Sequence, residues 1–349
     1  MYNANVETKK KQQQAGTAVR KISGQTIFLA ASIVISVVAL LSLVLLDWRG
    51  RDGRAEAAAS SLRLEDIPFN GARAFEYLKQ LAAIGPRRSG SPAMALQQEL
   101  LAAHFRKLGA EVEFQRFRAR HPVDGSEVPM ANIIVHWNPQ SKERILLCAH
   151  YDTLPFPLRD PEHPRGVFVG ANDNASGVAV LMELCRELGK PTSRLGVDFL
   201  LLDGEEYIFR ETDRFFLGSE HFARTYATSH PPYRYRWGIL LDMVGDADLQ
   251  IYQERNSYAW RDTRPLVEDL WATAGRLGVR EFVPSLKWEI RDDHLPLHDI
   301  ARIPTCDVID FDYPPWHTER DRPDQCSALS LAKVGWVLRE WLKTTLARD

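Results

Sequence analysis

Cysteine is scarce and unpatterned here: four in 349 residues, Cys148, Cys185, Cys306 and Cys326, with no CxxC spacing. That argues against a cysteine-built zinc site, and the sequence alone leaves open whether these thiols pair or stay free and buried. An excess of one charge is also missing. The 44 basic residues nearly balance the 46 acidic ones, for a formal net charge of -2, so nucleic acid is not the expected partner. There is no internal repeat. What remains is ordinary globular composition, 45% hydrophobic and of mixed charge.

Long apolar runs are equally rare, with one exception near the start. Residues 1–25 are polar, carry Lys9, Lys10, Lys11, Arg20 and Lys21, and read as a disordered tail. Ile27 to Leu46 is then free of charge, long enough as a helix to cross a bilayer core of about 30 Å. A cleaved signal peptide would have a shorter core, of about 7–15 residues, with a small-residue cleavage site close behind. Here Asp47-Trp48-Arg49-Gly50-Arg51 follows instead, so residues 26–47 are expected to be an uncleaved single-pass anchor. The basic tail puts the N-terminus in the cytoplasm and the main domain on the extracytoplasmic side. Residues 48–69 are expected to be a linker, and 70–349 one domain with no further boundary.

From Asn70 onward the pattern alternates. Helical spacing covers Ala72–Ala83 and Pro92–Leu108, the second opening on Ser91-Pro92, a capping residue before a favoured first-turn proline. Strand-like runs follow at Glu111–Phe117, Ala131–Trp137 and Arg144–Ala149. A helix at Ala175–Leu188 leads into a strand at Val197–Leu202. Then come a helix near Ser219–Ala227, a strand Gly238–Val244, a helix Arg264–Leu277, a strand Thr305–Ile309 and a helix Leu329–Leu346. Helices alternating with apolar strands predict an α/β fold with a mostly parallel central sheet covered on both faces.

Ligands of such sheets bind beyond the carboxyl ends of the strands, and that is where the chemistry-bearing residues stand. His150-Tyr151-Asp152 follows one strand, and Asp173 precedes the helix at 175. Asp203-Gly204-Glu205-Glu206 follows the leucine-rich strand, Asp242 ends another, and His317 lies after the strand at 305–309. Two adjacent half-buried acids raise one another's pKa, and a fold tolerates them when a cation neutralises one and the other has separate work. Glu206 is therefore expected to bind zinc and Glu205 to move protons. Imidazole and carboxylate are ordinary zinc donors, and Asp152 is placed to orient the His150 ring. His104, His121, His136, His163, His221, His230 and His298 have no such setting and are read as structural or solvent-facing.

These segments, together with Gly170-Ala171-Asn172-Asp173-Asn174-Ala175-Ser176-Gly177, Leu241-Asp242-Met243 and Trp316-His317-Thr318, resemble the M28 family of zinc peptidases, and within it the glutaminyl cyclase branch. The likeness covers roughly residues 70 to 347 and implies a phosphorylase/hydrolase-like sandwich. In the dinuclear aminopeptidases of that family, the positions matching His150 and Asp242 hold one zinc and those matching Glu206 and His317 the other. Asp173 matches the bridging position and Glu205 the general base. In the cyclases, one zinc is held at the positions matching Asp173, Glu206 and His317 and polarises the side-chain amide of an N-terminal glutamine. The acid matching Glu205 then carries a proton from the α-amine to departing ammonia.

Arg291-Asp292-Asp293-His294-Leu295-Pro296 resembles the cyclases' paired-Asp motif, whose first member joins a hydrogen-bond network with the residues matching Glu205 and Asp242. Trp316 matches a tryptophan that walls their substrate pocket. Asn172-Asp173-Asn174-Ala175-Ser176-Gly177 is closer to the peptidases, and the loop Tyr207–Asp213 offers Tyr207 and Phe209 where cyclases often place tryptophan. The resemblance thus implies a zinc-dependent glutaminyl-peptide cyclotransferase acting on peptide or protein N-termini. A two-zinc aminopeptidase is the alternative, and a metal-free receptor or scaffold the third reading.

Overall fold

A computed structural model describes residues 59–189 and 194–348. The expected tail and anchor, and the linker as far as residue 58, lie outside the described residues. Among the described residues no helix is long and apolar enough to cross a membrane. The part of the expected linker that is described is not free chain. Ile67 and Phe69 are buried in the main core, and Ser60 donates through both its N–H and its hydroxyl to Glu281 Oε1 at 2.9 Å. Apolar residues at 67 and 69 are the physical reason the domain begins earlier than residue 70.

The helices begin where short polar side chains can accept the free N–H groups of a first turn. Asn70 accepts from Arg73 N at 2.9 Å and opens α1 (Gly71–Ala83). Ser91 accepts from Met94 N at 3.1 Å and opens α2 (Pro92–Lys107). Three strands follow, β1 (Glu111–Arg120), β2 (Glu127–Trp137) and β3 (Glu143–His150), then α3 (Ala175–Leu188), β4 (Gly196–Leu202), α4 (Leu217–Ser229) and β5 (Arg234–Asp242). The C-terminal half adds β6 (Ile251–Gln253), α5 (Arg255–Ala259), α6 (Arg264–Leu277), β7 (Phe282–Leu286), α7 (His294–Asp299), β8 (Thr305–Ile309) and α8 (Ala328–Arg348).

Six strands form the central sheet in the order β1-β2-β4-β3-β5-β8. The four strands β4, β3, β5 and β8 are mutually parallel, while β1 and β2 make an antiparallel hairpin that joins through β2 to β4. The parallel character expected of the sheet therefore holds for its centre and not for the hairpin edge. β6 and β7 pair in a separate two-stranded sheet.

Alternation along the strands divides the core in two. Ile145, Leu147 and Ala149 of β3, with Val197, Phe199 and Leu201 of β4, face the larger cluster built with α1, α2, α3, α6 and α8. Leu146, Cys148, Leu200 and Leu202 face the smaller cluster under α4 and α7. Asp198 of β4 is a charged residue inside this apolar sheet. It accepts from Arg144 Nε at 2.7 Å and Tyr235 OH at 2.7 Å, and lies 3.0 Å from His136 Nδ1, so its burial is compensated. The four cysteines are free and buried.

Candidate metal centre

Every parallel strand of the sheet ends on a functional group or a loop carrying one. His150 closes β3, Glu205 and Glu206 follow β4, Asp242 closes β5, and His317 lies in the loop after β8. Asp173 comes from the turn before α3. Asn174 caps that helix, accepting from Gly177 N at 2.9 Å while its amide donates to Leu241 O at 2.7 Å. A Cβ on Gly177 would meet Leu241 O at 2.6 Å, so only glycine lets the start of α3 press against the end of β5. That approach brings Asp173 beside Asp242.

The donors converge. His317 Nε2 lies 2.9 Å from Glu206 Oε1 and 3.4 Å from Asp173 Oδ2. His150 Nε2 lies 3.1 Å from Asp173 Oδ1 and 3.4 Å from Asp242 Oδ1. Asp173 thus stands between two imidazoles, with Glu206 and His317 on one side and His150 and Asp242 on the other. Both triads, Asp173-Glu206-His317 and His150-Asp173-Asp242, present donor atoms within 4.8 Å of one another. Asp173 Oδ2 and Asp242 Oδ1 are fully buried yet have no hydrogen-bond partner, as expected of oxygens reserved for a cation.

Electrostatics agree with that assignment. Burial, opposed by His150 but reinforced by Glu206 and Asp292, pushes the Glu205 carboxyl well above its ordinary range. Burial and the neighbouring Asp173 do the same to Glu206. Asp242 is raised, chiefly by burial, and Asp292 is raised to about 7 by burial and Asp242. Burial would raise Asp173 as well, but the two imidazoles that flank it, His150 and His317, outweigh that and hold the group low. A site crowded with acids that resist ionising gains from a divalent cation, and carboxylates with imidazoles are the donors zinc takes.

The expected residues meet, with one change of role. Asp152 lies 3.6 Å from His150 Nδ1, beyond a hydrogen bond. Its carboxylate oxygens instead accept the backbone N–H groups of Glu205 at 3.1 Å and Glu206 at 3.2 Å. Asp152 therefore shapes the turn that presents the two acids. Leu154 N fixes the far oxygen of Glu206 at 3.1 Å. Trp316 leans on His317, ring centroids 4.3 Å apart, and lines the cavity. His104, His136 and His298 are engaged elsewhere, against Met182 O, Asp198 and the Trp260 ring.

Sequence reasoning missed several members. Asp321, fully buried, accepts Asn172 N at 2.8 Å, Asp173 N at 3.0 Å and Tyr313 OH at 2.8 Å, and so holds the backbone of the central ligand. Arg87, also buried, donates to Val169 O at 2.6 Å and Gly170 O at 2.8 Å behind the site. Burial lowers its guanidinium to about 10, opposed by the charges of Asp321, Glu206, Asp152 and Asp173. Phe215 and Phe311, not Tyr207 and Phe209, complete the pocket wall; Tyr207 and Phe209 pack near Val128 and Met130 instead. The one available signal was a charged or bulky residue where no periodicity asked for it.

The cavity has two parts. An inner pocket of about 60 Å³ reaches Asp173, Glu205, Glu206, Asp242, Asp292 and His317. An outer chamber of about 300 Å³ shares Phe215, Ile290, Arg291, Phe311, Trp316 and His317 with it and opens past Arg159 and Glu211. A larger cavity, about 610 Å³ between β1 and α4, holds none of the metal donors, so size does not mark the reactive site here.

An α/β sheet with carboxylates and imidazoles gathered at its strand ends defines a metal-dependent hydrolase-like enzyme. The chain belongs to peptidase family M28, whose model matches residues 132–342. It is similar to the glutaminyl-peptide cyclotransferase of Bos taurus, 27% identical over 289 residues, covering 72% of this chain and 76% of the relative. Among solved structures it is similar to the Fimbriiglobus ruber glutaminyl cyclase, at 39% identity and a TM-score of 0.76, covering 81% of this chain and 97% of that one. It is also similar to a Zn-dependent exopeptidase of Parabacteroides distasonis, at 30% identity and a TM-score of 0.73, covering 78% and 98%. The chain is an enzyme of a zinc-dependent family.

Proposed function

We propose that this protein is a glutaminyl cyclase, converting the N-terminal glutamine of peptides or proteins to pyroglutamate with release of ammonia. The observation that carries the reading is Asp292. It lies in the inner pocket with Glu205 and Asp242, an acid that dinuclear hydrolysis does not need and that a proton-shuttling network does. The likeness to glutaminyl cyclases from Bos taurus and Fimbriiglobus ruber supports it.

Asp173, Glu206 and His317 would hold one zinc, which would supply a Lewis acid for the γ-amide carbonyl of the substrate. Glu205 takes the proton from the α-amine as its nitrogen bonds to the side-chain carbonyl carbon. It then delivers that proton to the side-chain nitrogen as the old carbon–nitrogen bond breaks and ammonia leaves. A carboxyl raised by burial suits both halves of that exchange. Trp316 and Phe311, in edge contact with each other, wall the entrance to the small inner pocket. Asp292, raised by burial and by Asp242, stands with Glu205 in the inner pocket, where it can take part in that exchange. Residues 26–47, read as an anchor, would put this chemistry on the extracytoplasmic side of a membrane.

A second reading rests on one observation, the His150-Asp173-Asp242 triad, which could hold a second ion and make the protein an aminopeptidase. Incubation with Gln-initiated and Leu-initiated peptides separates the two. The expected result is ammonia and pyroglutamate from the first and nothing from the second, with one zinc per chain. Free amino acid without ammonia, and two zincs, would overturn the cyclase reading.

A further inference from the structure

Behind Asp292 lies a second buried polar cluster that the reaction as described does not use. His294, wholly buried at the start of α7, has Nε2 3.5 Å from Glu254 Oε2 and Nδ1 3.6 Å from Asp307 Oδ2. Asp307 is a charged residue in the middle of the buried strand β8. Neither ring nitrogen of His294, neither side-chain oxygen of Asp307, and not Asp292 Oδ2, has a hydrogen-bond partner. Among the described residues, no lysine or arginine lies within ion-pair distance of this group. Apolar side chains of the same size would be at least as stable there, so the arrangement asks for a task.

The geometry names one. Glu254 is anchored by Asn256 N, Ser257 N and Ser257 Oγ at 2.7–2.9 Å. Its Oε1 also accepts Ile290 N at 3.0 Å, while its Oε2 faces His294. One carboxylate thus holds both ends of the segment 290–294, and Asp292 is the middle of that segment. The same turn reaches the sheet, since Ser257 Oγ accepts Asp307 N at 3.1 Å.

We propose that Glu254 and His294 are positioning residues: a buried carboxylate–imidazole clamp, backed by Asp307, that closes the 290–294 segment and keeps the Asp292 carboxyl in the inner pocket. This rests on the reading of Asp292 as a participant in the reaction. The clamp touches no substrate; its effect passes entirely through Asp292.

A double-mutant cycle tests it, run on whichever product the wild-type protein forms, with the full chain and its metal in place. His294→Gln and Glu254→Gln should each lower kcat by about 10²-fold, the cost of a misplacement near 1 Å, with KM and zinc content unchanged. Adding either to Asp292→Asn should cost almost nothing further, because the group being positioned is already disabled. Losses that multiply would overturn the clamp. So would a lowered melting temperature with kcat per folded molecule intact, or loss of a metal equivalent in His294→Gln, which would make the cluster an ion site. Glu254→Gln keeps an acceptor for Ile290 N and serves should His294→Gln fail to fold. If the wild type releases amino acids instead of pyroglutamate, the cyclase reading falls while the cycle still decides the clamp.

Discussion

Removing the carboxylate of Asp321 should loosen the metal centre from behind without touching a single ligand side chain. Three donors converge on that group: Asn172 N at 2.8 Å, Asp173 N at 3.0 Å and Tyr313 OH at 2.8 Å, all in a site closed to solvent. A buried donor left without an acceptor costs about 1–3 kcal/mol. Asp321→Ala strands all three, and a water entering the space left behind recovers part of the loss, so about 3–5 kcal/mol is expected. Asp321→Asn keeps one acceptor oxygen and turns an amide toward the remaining N–H, for about 1–3 kcal/mol. Because Asp173 is the ligand shared by both triads, freeing its backbone should also weaken zinc binding by about 10–100-fold, the range found for groups that orient ligands. Urea denaturation with unchanged slope measures the first effect, and competition against a chelator the second. Wild-type stability and zinc affinity in Asp321→Asn would show that the turn before α3 holds itself, and that Asp321 has been misread.

Two further outcomes follow from the same geometry. Glu205→Gln should retain zinc while turnover falls by about 10²–10⁴-fold, the usual cost of losing a proton carrier, and unchanged turnover would remove Glu205 from the mechanism. Glu254 offers a pH test. Burial would raise it, but the contact with His294 and the backbone donors hold it at about 2 against an ordinary 4.5. A depressed acid stabilises the fold above its unfolded value and loses that contribution as pH falls through its folded one. Roughly 3 kcal/mol should therefore disappear between about pH 4.5 and 2. The stability gap between wild type and Glu254→Gln, followed by urea midpoints, should close across that window; a gap constant from pH 7 to 3 would contradict it.

Much of the fold could be read along the chain because local chemistry and tertiary placement agree there. β4, Asp198 apart, is a run of apolar residues buried on both faces, Ser91 and Asn174 cap the helices they precede, and α3, α6 and β8 fall at their expected bounds. The reading faltered where pairing decides. β1 and β2 look like any other strands, but a six-residue connection lets them fold back as a hairpin, register Arg120 to Glu127, and no spacing rule distinguishes that from a parallel neighbour. The short pieces β6, α5, β7 and α7 carry too few residues to show a period.

The site divides along the same physical line. Ligands were legible because zinc demands particular side chains, and strand ends are where a parallel sheet exposes them: His150, Asp173, Glu206, Asp242 and His317 all arrive within reach of one another. The groups that hold those ligands act through backbone N–H groups, and any carboxylate in the right place can do that. Asp321 bonds the peptide of Asp173 from 148 residues away, and Asp152 was legible only as a neighbour of His150, although its bonds run to Glu205 and Glu206. Asp307 is the exception that could have been found, since an acid inside an otherwise apolar strand has to be compensated by something. What faces it is His294, with Nδ1 3.6 Å away, whose place in the Asp-Asp-His triplet made it look like part of a motif rather than a neighbour of β8. Support of this kind is specified in three dimensions, and only donors and acceptors that would otherwise be stranded reveal it.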